Sequence, residues 1–277
     1  MKIAVISCIH GNYEALNAVL SDIDRHNADK IYCLGDLVGY GPHPNAVVEM
    51  IRSLDIPTCQ GCWDEDAVEG LNACECSYPS VLAEKRGKLA HEWTTKTLYP
   101  EVRDYLAQLP LTLRDGNLGF VHGSPHSQHE YLLPNMNAFV ALERALSTEA
   151  DILFCGHTHV PYVRSLDAGQ IDVRVAIDPS AKASQPSTAE TIGIQLPLKR
   201  IVNAGSVGEP RHGRPNATYV LYDTDSDRIT IREVEYNYQL TCAAIIQKGL
   251  PSIFAWRLSQ GLEFAERADD PAHVCER

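Results

Sequence analysis

The sequence lacks any long hydrophobic run. No stretch approaches the ~20 consecutive apolar residues that a membrane-spanning helix needs. The chain enters a predicted strand at Met1-Lys-Ile-Ala-Val-Ile6, without the charged lead and apolar core of a secretion signal. Its nine cysteines are an odd number, and without such a signal they indicate reduced thiols rather than a disulfide framework. We therefore expect a cytoplasmic protein with no membrane partner.

Positive charge is also scarce. The chain has 24 Lys and Arg residues against 36 Asp and Glu residues, which gives a net charge of −12. An acidic surface disfavours binding along a phosphate backbone, so we expect no bulk nucleic-acid partner. A small anionic, phosphate-containing substrate would need local positive charge, which bound metal ions supply. A homo-oligomer remains compatible with the sequence.

The length of 277 residues suits one large α/β domain, and we expect residues 1–277 to form a single domain. Hydrophobic periodicity predicts a β-α-β-α-β start, with strands at 3–7, 30–34 and 56–60 and helices at 12–26 and 45–54. It then predicts mostly helix over 65–110, a hairpin of strands 111–114 and 118–121, a helix at 135–147 and a strand at 151–155.

From residue 160 onward the pattern changes to short strands, which predict a second, mostly antiparallel sheet. These strands fall at 162–166, 172–177, 200–203, 218–223 and 229–235. Residues 178–191 are of low complexity and predict a flexible hairpin loop or insertion. Residues 239–265 are predicted to be helical again, with an interruption at Gly249-Leu-Pro251.

Metal-ligand side chains follow several of the predicted strands. The strings are Cys8-Ile-His10-Gly-Asn12, Gly35-Asp36, Gly61-Cys62-Trp63-Asp64, Val121-His122-Gly-Ser and Gly156-His157-Thr-His159. Side chains at successive strand ends can converge although they are distant in sequence. A single histidine is more often a core residue, and an aspartate after a glycine can cap a helix. The combination nevertheless favours a metal site with an open position.

This order of motifs resembles the calcineurin-like metallophosphoesterases over nearly the whole chain. Gly39-Tyr-Gly-Pro42 and Asn203-Ala-Gly-Ser-Val-Gly208-Glu-Pro-Arg211 are further matches, typical of the bacterial, phosphodiesterase-like branch. The resemblance implies an α/β fold, a four-layer αββα sandwich of two mixed sheets flanked by helices. It also implies a dinuclear metal centre whose bound water hydrolyses phosphate esters, with a phosphodiester favoured over a monoester.

The resemblance also implies roles for individual residues. One metal would be held by His10, Asp36 and His159, and Asp36 would bridge to a second held by His122 and His157. Cys8 and Cys62 occupy the two remaining ligand positions, where the family has Asp and Asn. The catalytic residues beside the metals correspond to Asn12 and Asp64. Apart from the resemblance, Tyr40 is expected to line the substrate pocket, and Arg211 could reach a substrate phosphate because a guanidinium binds two oxygens at once, although it suits a surface salt bridge equally well. Trp63 is the third residue expected to contact the substrate. Trp63 stands where the family often has a histidine that assists the leaving group.

The two cysteines affect which metal is expected. A thiolate is a softer ligand than a carboxylate or amide, so zinc or iron should be favoured over manganese. Cys62 also makes the ligand set one charge more negative, which raises the pKa of a bound water unless an ion such as Fe³⁺ compensates. The chain could therefore instead be a catalytically altered, thiolate-ligated metal protein for binding, redox or sensing. Oxygen-dependent chemistry at an iron site is a third interpretation, which no sequence feature supports.

A separate cysteine site is the remaining alternative. Cys59-Gln-Gly-Cys62 followed by Cys74-Glu-Cys76 could form a Cys₄ zinc site or a redox pair. The second pair has a single residue between its thiols, unlike a common zinc knuckle, and the resemblance assigns Cys62 elsewhere.

Overall fold

The computed structural model describes residues 1–70, 80–166 and 198–262, which contain nine strands and eight helices. The strands are β1 (Lys2–Ile6), β2 (Lys30–Cys33), β3 (Thr112–Asp115), β4 (Leu118–Val121), β5 (Ile152–Cys155), β6 (Tyr162–Leu166), β7 (Lys199–Asn203), β8 (Ala217–Asp223) and β9 (Arg228–Val234). The helices are α1 (Tyr13–Arg25), α2 (Pro44–Ser53), α3 (Cys62–Glu69), α4 (Val81–Thr97), α5 (Pro100–Leu106), α6 (Ala138–Leu146), α7 (Tyr238–Gln247) and α8 (Ser252–Gln260).

The strands form two mixed sheets. The first has the order β2-β1-β8-β9, and the second has the order β3-β4-β5-β7-β6. In the first sheet β1 and β2 are parallel, and in the second β4, β5 and β7 are parallel; the other pairings are antiparallel. The carboxyl ends of parallel neighbours lie at the same edge of a sheet, so the loops after them are close together.

The strand β1 shows how the layers are packed. Its side chains alternate, so Ile3 and Val5 contact the second sheet while Ala4 and Ile6 contact α1 and α2. The outer face of the second sheet packs on α6 through Leu153, Ile201 and their neighbours. Two sheets between two helical layers make the predicted αββα sandwich, and this expectation is confirmed.

The prediction of a separate second sheet from residue 160 onward is wrong. The strands β6 and β7 extend the sheet of β3 to β5, whereas β8 and β9 pair with β1 in the first sheet. Alternation along a strand identifies a buried face but not the neighbouring strand. Both β7 and β8 lie in the interior of their sheets, and most of their residues are buried.

The predicted strand at 56–60 is reduced to one parallel bridge between Cys33 and Thr58. Pro57 has no N–H to donate, and the chain turns away at Gly61 to begin α3. The predicted helical region 65–110 divides into α3, α4 and α5, and the hairpin of β3 and β4 is confirmed. The predicted strand 172–177, the insertion 178–191 and the second cysteine pair lie outside the described residues.

The helices α7 and α8 pack together near the loops that follow β1 and β2. Their apolar residues, with Phe254 and Leu258 among them, form a cluster with Tyr40, Trp63 and Ala90. None of the described helices combines the length and apolar character needed to cross a membrane. Where the sequence predicts helix over 239–265, the structure has α7 and α8, separated at Lys248–Pro251.

Candidate metal centre

The side chains predicted to bind metal converge. Six of these seven residues lie in the loops that follow β1, β2, β4 and β5, and the seventh is the first residue of α3. None of the seven is more than 3% exposed. Their donor atoms form two groups, and within each group all donor atoms lie within 4.8 Å of one another. The first group is Cys8, His10, Asp36 and His159, and the second group is Asp36, Cys62, His122 and His157. Both groups share Asp36, as a bridging ligand would require.

The backbone at these residues is unusual. Five of the seven have a positive φ: 53° at Cys8, 49° at His10, 55° at Asp36, 63° at His157 and 60° at His159. Residues other than glycine rarely adopt this left-handed conformation, which costs on the order of 1 kcal/mol or more for each. Such a concentration at one place indicates that the loops are shaped to aim these side chains inward.

Two glycines allow the loops to approach closely. A Cβ on Gly61 would lie 2.2 Å from Oδ1 of Asp36, and a Cβ on Gly156 would lie 1.9 Å from Oγ of Ser7. These distances are far below van der Waals contact, so any larger residue would push the loops apart. Both motifs therefore need glycine directly before the ligand residue.

In the first group two histidine rings face each other. Nδ1 of His10 donates to the carbonyl of Val38 at 2.9 Å, and Nδ1 of His159 donates to the carbonyl of Glu209 at 2.6 Å, because a carbonyl can only accept. In the neutral rings, Nε2 then carries a lone pair, and the two Nε2 atoms are 3.1 Å apart. Two lone pairs at this distance repel, whereas a cation held by both would be favourable.

The second group has the same arrangement. Nδ1 of His122 donates to the carbonyl of Leu34 at 2.8 Å, and Nε2 of His157 donates to the carbonyl of His129 at 3.3 Å. The two remaining ring nitrogens are 3.2 Å apart. The sulfur of Cys62 lies 3.7 Å from His122 Nε2 and 3.6 Å from His157 Nδ1.

These separations suit a shared cation. Tetrahedral ligands of zinc at ~2.0 Å for nitrogen and ~2.3 Å for sulfur lie roughly 3.3 Å apart for two nitrogens and roughly 3.5 Å apart for nitrogen and sulfur. The carboxylate Oδ2 of Asp36 is 3.5 Å from His10 Nε2 and 3.2 Å from His122 Nε2, so it reaches both groups. The donor set therefore fits two metal ions.

The ionisation of His10, His159 and Asp36 also suits metal binding. Burial lowers the pKa of His10 to about 4 and that of His159 well below its ordinary value, with the cation of Arg211 acting in the same direction. Burial opposes ionisation of Asp36, but the nearby rings of His122 and His10 hold its pKa well below the usual range. Neutral imidazoles and an ionised carboxylate are the forms that ligate metals.

The two thiols are protonated in the absence of metal. Burial, followed by the charge of Asp36, raises the pKa of both Cys8 and Cys62. Other contacts favour a thiolate: the N–H of His157 donates to the Cys8 sulfur at 3.3 Å, and Cys62 is the first residue of α3, at the positive end of its dipole. A metal ion would have to displace the thiol protons.

Asp64, predicted to be catalytic, holds the loop after β2. Its carboxylate accepts from the N–H groups of Gly61, Asp36 and Leu37 at 3.0, 2.8 and 2.8 Å, and from that of Val38 at 3.3 Å. Burial and the charge of Asp36 raise its pKa to about 7, against these hydrogen bonds. Its oxygens thus contact backbone, and its part in catalysis stays a prediction.

Asn12, the other residue predicted to be catalytic, is also fully engaged. Its amide donates to the carbonyl of Gly208 at 3.0 Å and to the hydroxyl of Tyr236 at 2.9 Å. Its oxygen accepts from the N–H of Ala15, which caps α1, and from the hydroxyl of Thr241 on α7. Asn12 therefore joins the ligand loop after β1 to α7.

The residues predicted to contact substrate lie beside the first group. The centre of the Tyr40 ring is 5.0 Å from that of His10 and 4.4 Å from that of Trp63. The backbone N–H of Trp63 donates to Oδ1 of Asp36 at 2.9 Å. Tyr40 and Trp63 are only 5% and 4% exposed. Arg211 is half-buried, and after burial its cation is the main influence that lowers the pKa of His159. For His157, burial and the charge of His122 lower the pKa more than Arg211 does. The contact of Arg211 with substrate stays a prediction.

Sequence reasoning missed a buried ion pair that supports the centre. Nη2 of Arg257 on α8 lies 2.7 Å from Oε1 of Glu209, and these side chains are 1% and 5% exposed. The carbonyl of Glu209 holds His159, and the guanidinium of Arg257 stacks 5.1 Å from the centre of the Tyr40 ring. A single arginine within the apolar string Ile253-Phe-Ala-Trp-Arg-Leu258 was the available signal. The sequence contains no comparable signal for the backbone carbonyls that orient the histidines.

Comparisons with known proteins agree with this geometry. Residues 1–227 match the family model of the calcineurin-like phosphoesterase superfamily domain. An uncharacterized protein of Methanocaldococcus jannaschii is 34% identical over 267 residues, which are 94% of this chain and 98% of that protein. The crystal structure of a metallophosphoesterase from Sphaerobacter thermophilus is 34% identical and has a TM-score of 0.72, over 95% of this chain and 100% of that one.

A hypothetical protein from Pyrococcus horikoshii OT3 shares the fold, with a TM-score of 0.71 at 23% identity, over 95% of this chain and 99% of that one. The helices α7 and α8 lie beyond the residues that the family model matches, yet these two similar structures extend over nearly the whole chain. The chain therefore belongs to the calcineurin-like phosphoesterase superfamily and is a metal-dependent phosphoesterase.

Proposed function

We propose that this phosphoesterase hydrolyses phosphodiesters at a dinuclear metal centre formed by the first and second groups. The observation that carries the proposal is the sharing of Asp36 by two sets of four donors, each set within 4.8 Å. Water adds to phosphorus, the ester P–O bond breaks, and the departing alcohol takes a proton from the water. The products are a phosphate monoester and an alcohol.

When bound, two metal ions would lower the pKa of a water molecule and neutralise charge on the phosphate. The residues of the chain fix where this happens. Backbone carbonyls orient each histidine, Asp36 spans both groups, and Asn12 and Asp64 hold the ligand loops as positioning residues. Arg211 supplies the positive charge that would orient a phosphate oxygen.

The preference for diesters is supported by the resemblance to the phosphodiesterase-like branch and by Trp63. The buried indole of Trp63 occupies the position where many relatives would have a proton-donating histidine. Zinc or iron is favoured over manganese because two of the seven donors are sulfur. Thiol ligands need a reducing compartment, which supports the expected cytoplasmic setting.

The experiment is to purify the protein without added metal, measure its metal content, and assay hydrolysis after loading with zinc, iron or manganese. Bis-p-nitrophenyl phosphate and p-nitrophenyl phosphate report diester and monoester hydrolysis by the same released phenol. We expect about two metal ions per chain and faster turnover of the diester. Loss of activity in the Asp36→Asn variant, with its fold retained, would exclude a contaminating enzyme.

A redox or sensing role is the second candidate, favoured by the two sulfur donors at one centre. Its signature would be reversible: mild peroxide releases the metals, and reductant with metal restores them. A fully metal-loaded protein that hydrolyses neither ester would favour this role. Peroxide that oxidises only cysteines other than Cys8 and Cys62, with the metals retained, would argue against it.

A further inference from the structure

A cavity opens beside the second group. It has a volume of about 370 Å³ and lies between α3, the start of β3 and the loop of residues 122–129. His122, a ligand of the second group, forms part of its wall. Small-molecule sites have volumes of roughly 300–1,000 Å³, so this cavity suits a small group attached to a phosphate at the metal centre.

The wall of the cavity is acidic. Glu65, Asp66 and Glu69 line it from α3, and no lysine or arginine is among the described residues that line it. Two histidines also line it, and each faces a carboxylate: His129 Nε2 is 3.0 Å from Glu65, and His126 Nε2 is 3.5 Å from Glu143. Each of these two rings is therefore paired with a carboxylate, and the acidic side chains of α3 set the character of the wall.

The cavity also contains uncommitted hydrogen-bonding capacity. Gln128 lines it, and the nitrogen and oxygen of its amide are buried without a hydrogen bond to any residue that the structure describes. A buried amide without a partner is unfavourable by about 1–3 kcal/mol, so a ligand that pairs with it would be stabilised. This amide points to a polar ligand for the cavity.

We propose that this cavity binds one ester group of the phosphodiester and selects a small polar group that is cationic or neutral. An amino alcohol or a quaternary ammonium alcohol would have its positive charge facing Glu65, Asp66 and Glu69. A second phosphate or a carboxylate would be repelled by the same residues. This inference rests on the proposed phosphodiesterase activity and adds the chemical class of the substrate.

The test uses three diesters that share a p-nitrophenyl leaving group and differ in the other ester group: p-nitrophenyl phosphocholine, p-nitrophenyl ethyl phosphate and p-nitrophenyl 2-carboxyethyl phosphate. The reaction is the same in each, so differences in kcat/KM report binding of the second group. We expect kcat/KM to be highest for the cationic ester, lower for the neutral ester and lowest for the anionic ester. Adjacent members of this series should differ roughly fivefold, which is the upper end of the effect of a solvent-exposed charge pair.

Charge-removing variants separate the cavity from the rest of the surface. In the double variant Glu65→Gln with Glu69→Gln, kcat/KM for the choline ester should fall relative to that for the ethyl ester, and kcat/KM for the carboxyethyl ester should rise relative to that for the ethyl ester. Glu143→Gln is the matched control, because Glu143 is a carboxylate of the same region that does not line the cavity. The ethyl ester also verifies that each variant is folded and active.

The outcomes distinguish the two levels of the proposal. Equal hydrolysis of all three diesters, or a preference that the double variant does not change, would overturn the assignment of the cavity while leaving phosphodiesterase activity intact. If none of the three diesters is hydrolysed by protein loaded with zinc, iron or manganese, the proposed function itself fails, and the assignment of the cavity fails with it.

Discussion

Zinc binding to the metal-free protein should release about two protons per chain from Cys8 and Cys62. Burial, together with the charge of Asp36, raises the pKa of both thiols, so both are protonated at neutral pH before metal binds. A thiol binds zinc as the thiolate, and its proton is therefore released on ligation. The magnitude is one proton for each thiol that becomes a ligand.

The other donor residues determine how the number of released protons should change with pH. Burial lowers the pKa of His10 to about 4 and those of His157 and His159 well below the ordinary value, and the pKa of Asp36 is low, so these four release no protons. Burial lowers the pKa of His122, but Asp36 raises it more, and the net shift is upward. Its contribution disappears as the pH rises above that pKa. The number of protons released should thus fall towards two as the pH rises above the pKa of His122.

Proton release can be measured by titrating zinc into reduced, metal-free protein in weakly buffered phenol red, or by calorimetry in two buffers of different ionisation enthalpy. The Cys8→Asp variant combined with Cys62→Asn should release about two protons fewer than the natural sequence. Cys59→Ala is the matched control, since burial raises the pKa of Cys59 to about 12 but its sulfur belongs to neither group. Equal release by the double variant and the natural sequence would refute the assignment of the thiols as ligands.

Three further predictions concern the same centre. Asp36→Asn and His157→Ala should each remove most bound metal and activity while the circular dichroism spectrum is retained; a full metal complement in Asp36→Asn would contradict the shared ligand. Cys8→Asp with Cys62→Asn should shift metal preference towards manganese and raise diester turnover, and an unchanged preference would mean that neither sulfur ligates. Arg257→Met should lower the free energy of unfolding by about 3–5 kcal/mol in denaturant titration, because it leaves a buried carboxylate unpaired; a loss below about 1 kcal/mol would show that the ion pair contributes little.

The sequence predicted the local elements well but not all of their neighbours. Apolar runs located β1, β2, β4 and β5 to within one residue, because a buried strand needs a continuous apolar sequence. The sheet membership of β6 to β9 was not predictable in this way. Pairing depends on which strands lie adjacent after folding, and the alternation within one strand contains no information about its neighbour.

The candidate ligand set was predictable in two ways. Histidine and aspartate after strand ends indicated where donors would meet, and the resemblance to the calcineurin-like family implied that Cys8 and Cys62 complete the set; the structure brings all seven together. The supporting contacts were not predictable, since the carbonyls of Val38, Leu34 and Glu209 belong to the backbone, which any residue supplies. The ion pair of Glu209 and Arg257 joins positions 48 residues apart, and neither residue alone indicated a partner.

The charge of the donor set gives a physical reason for the proposed preference for phosphodiesters over monoesters. Ligated as thiolates, Cys8 and Cys62 contribute two negative charges and Asp36 contributes a third, so two divalent ions leave a net charge of 4 − 3 = +1. A phosphodiester carries one negative charge and would be balanced, whereas a phosphate monoester dianion would leave the centre with an excess negative charge in a buried site. The positive charge of Arg211, which lowers the pKa of His159, would moderate this difference. Replacing Cys62 by asparagine removes one negative charge, so that substitution should raise monoester turnover more than diester turnover, and the ratio of the two rates measures how strongly the thiolate sets the specificity.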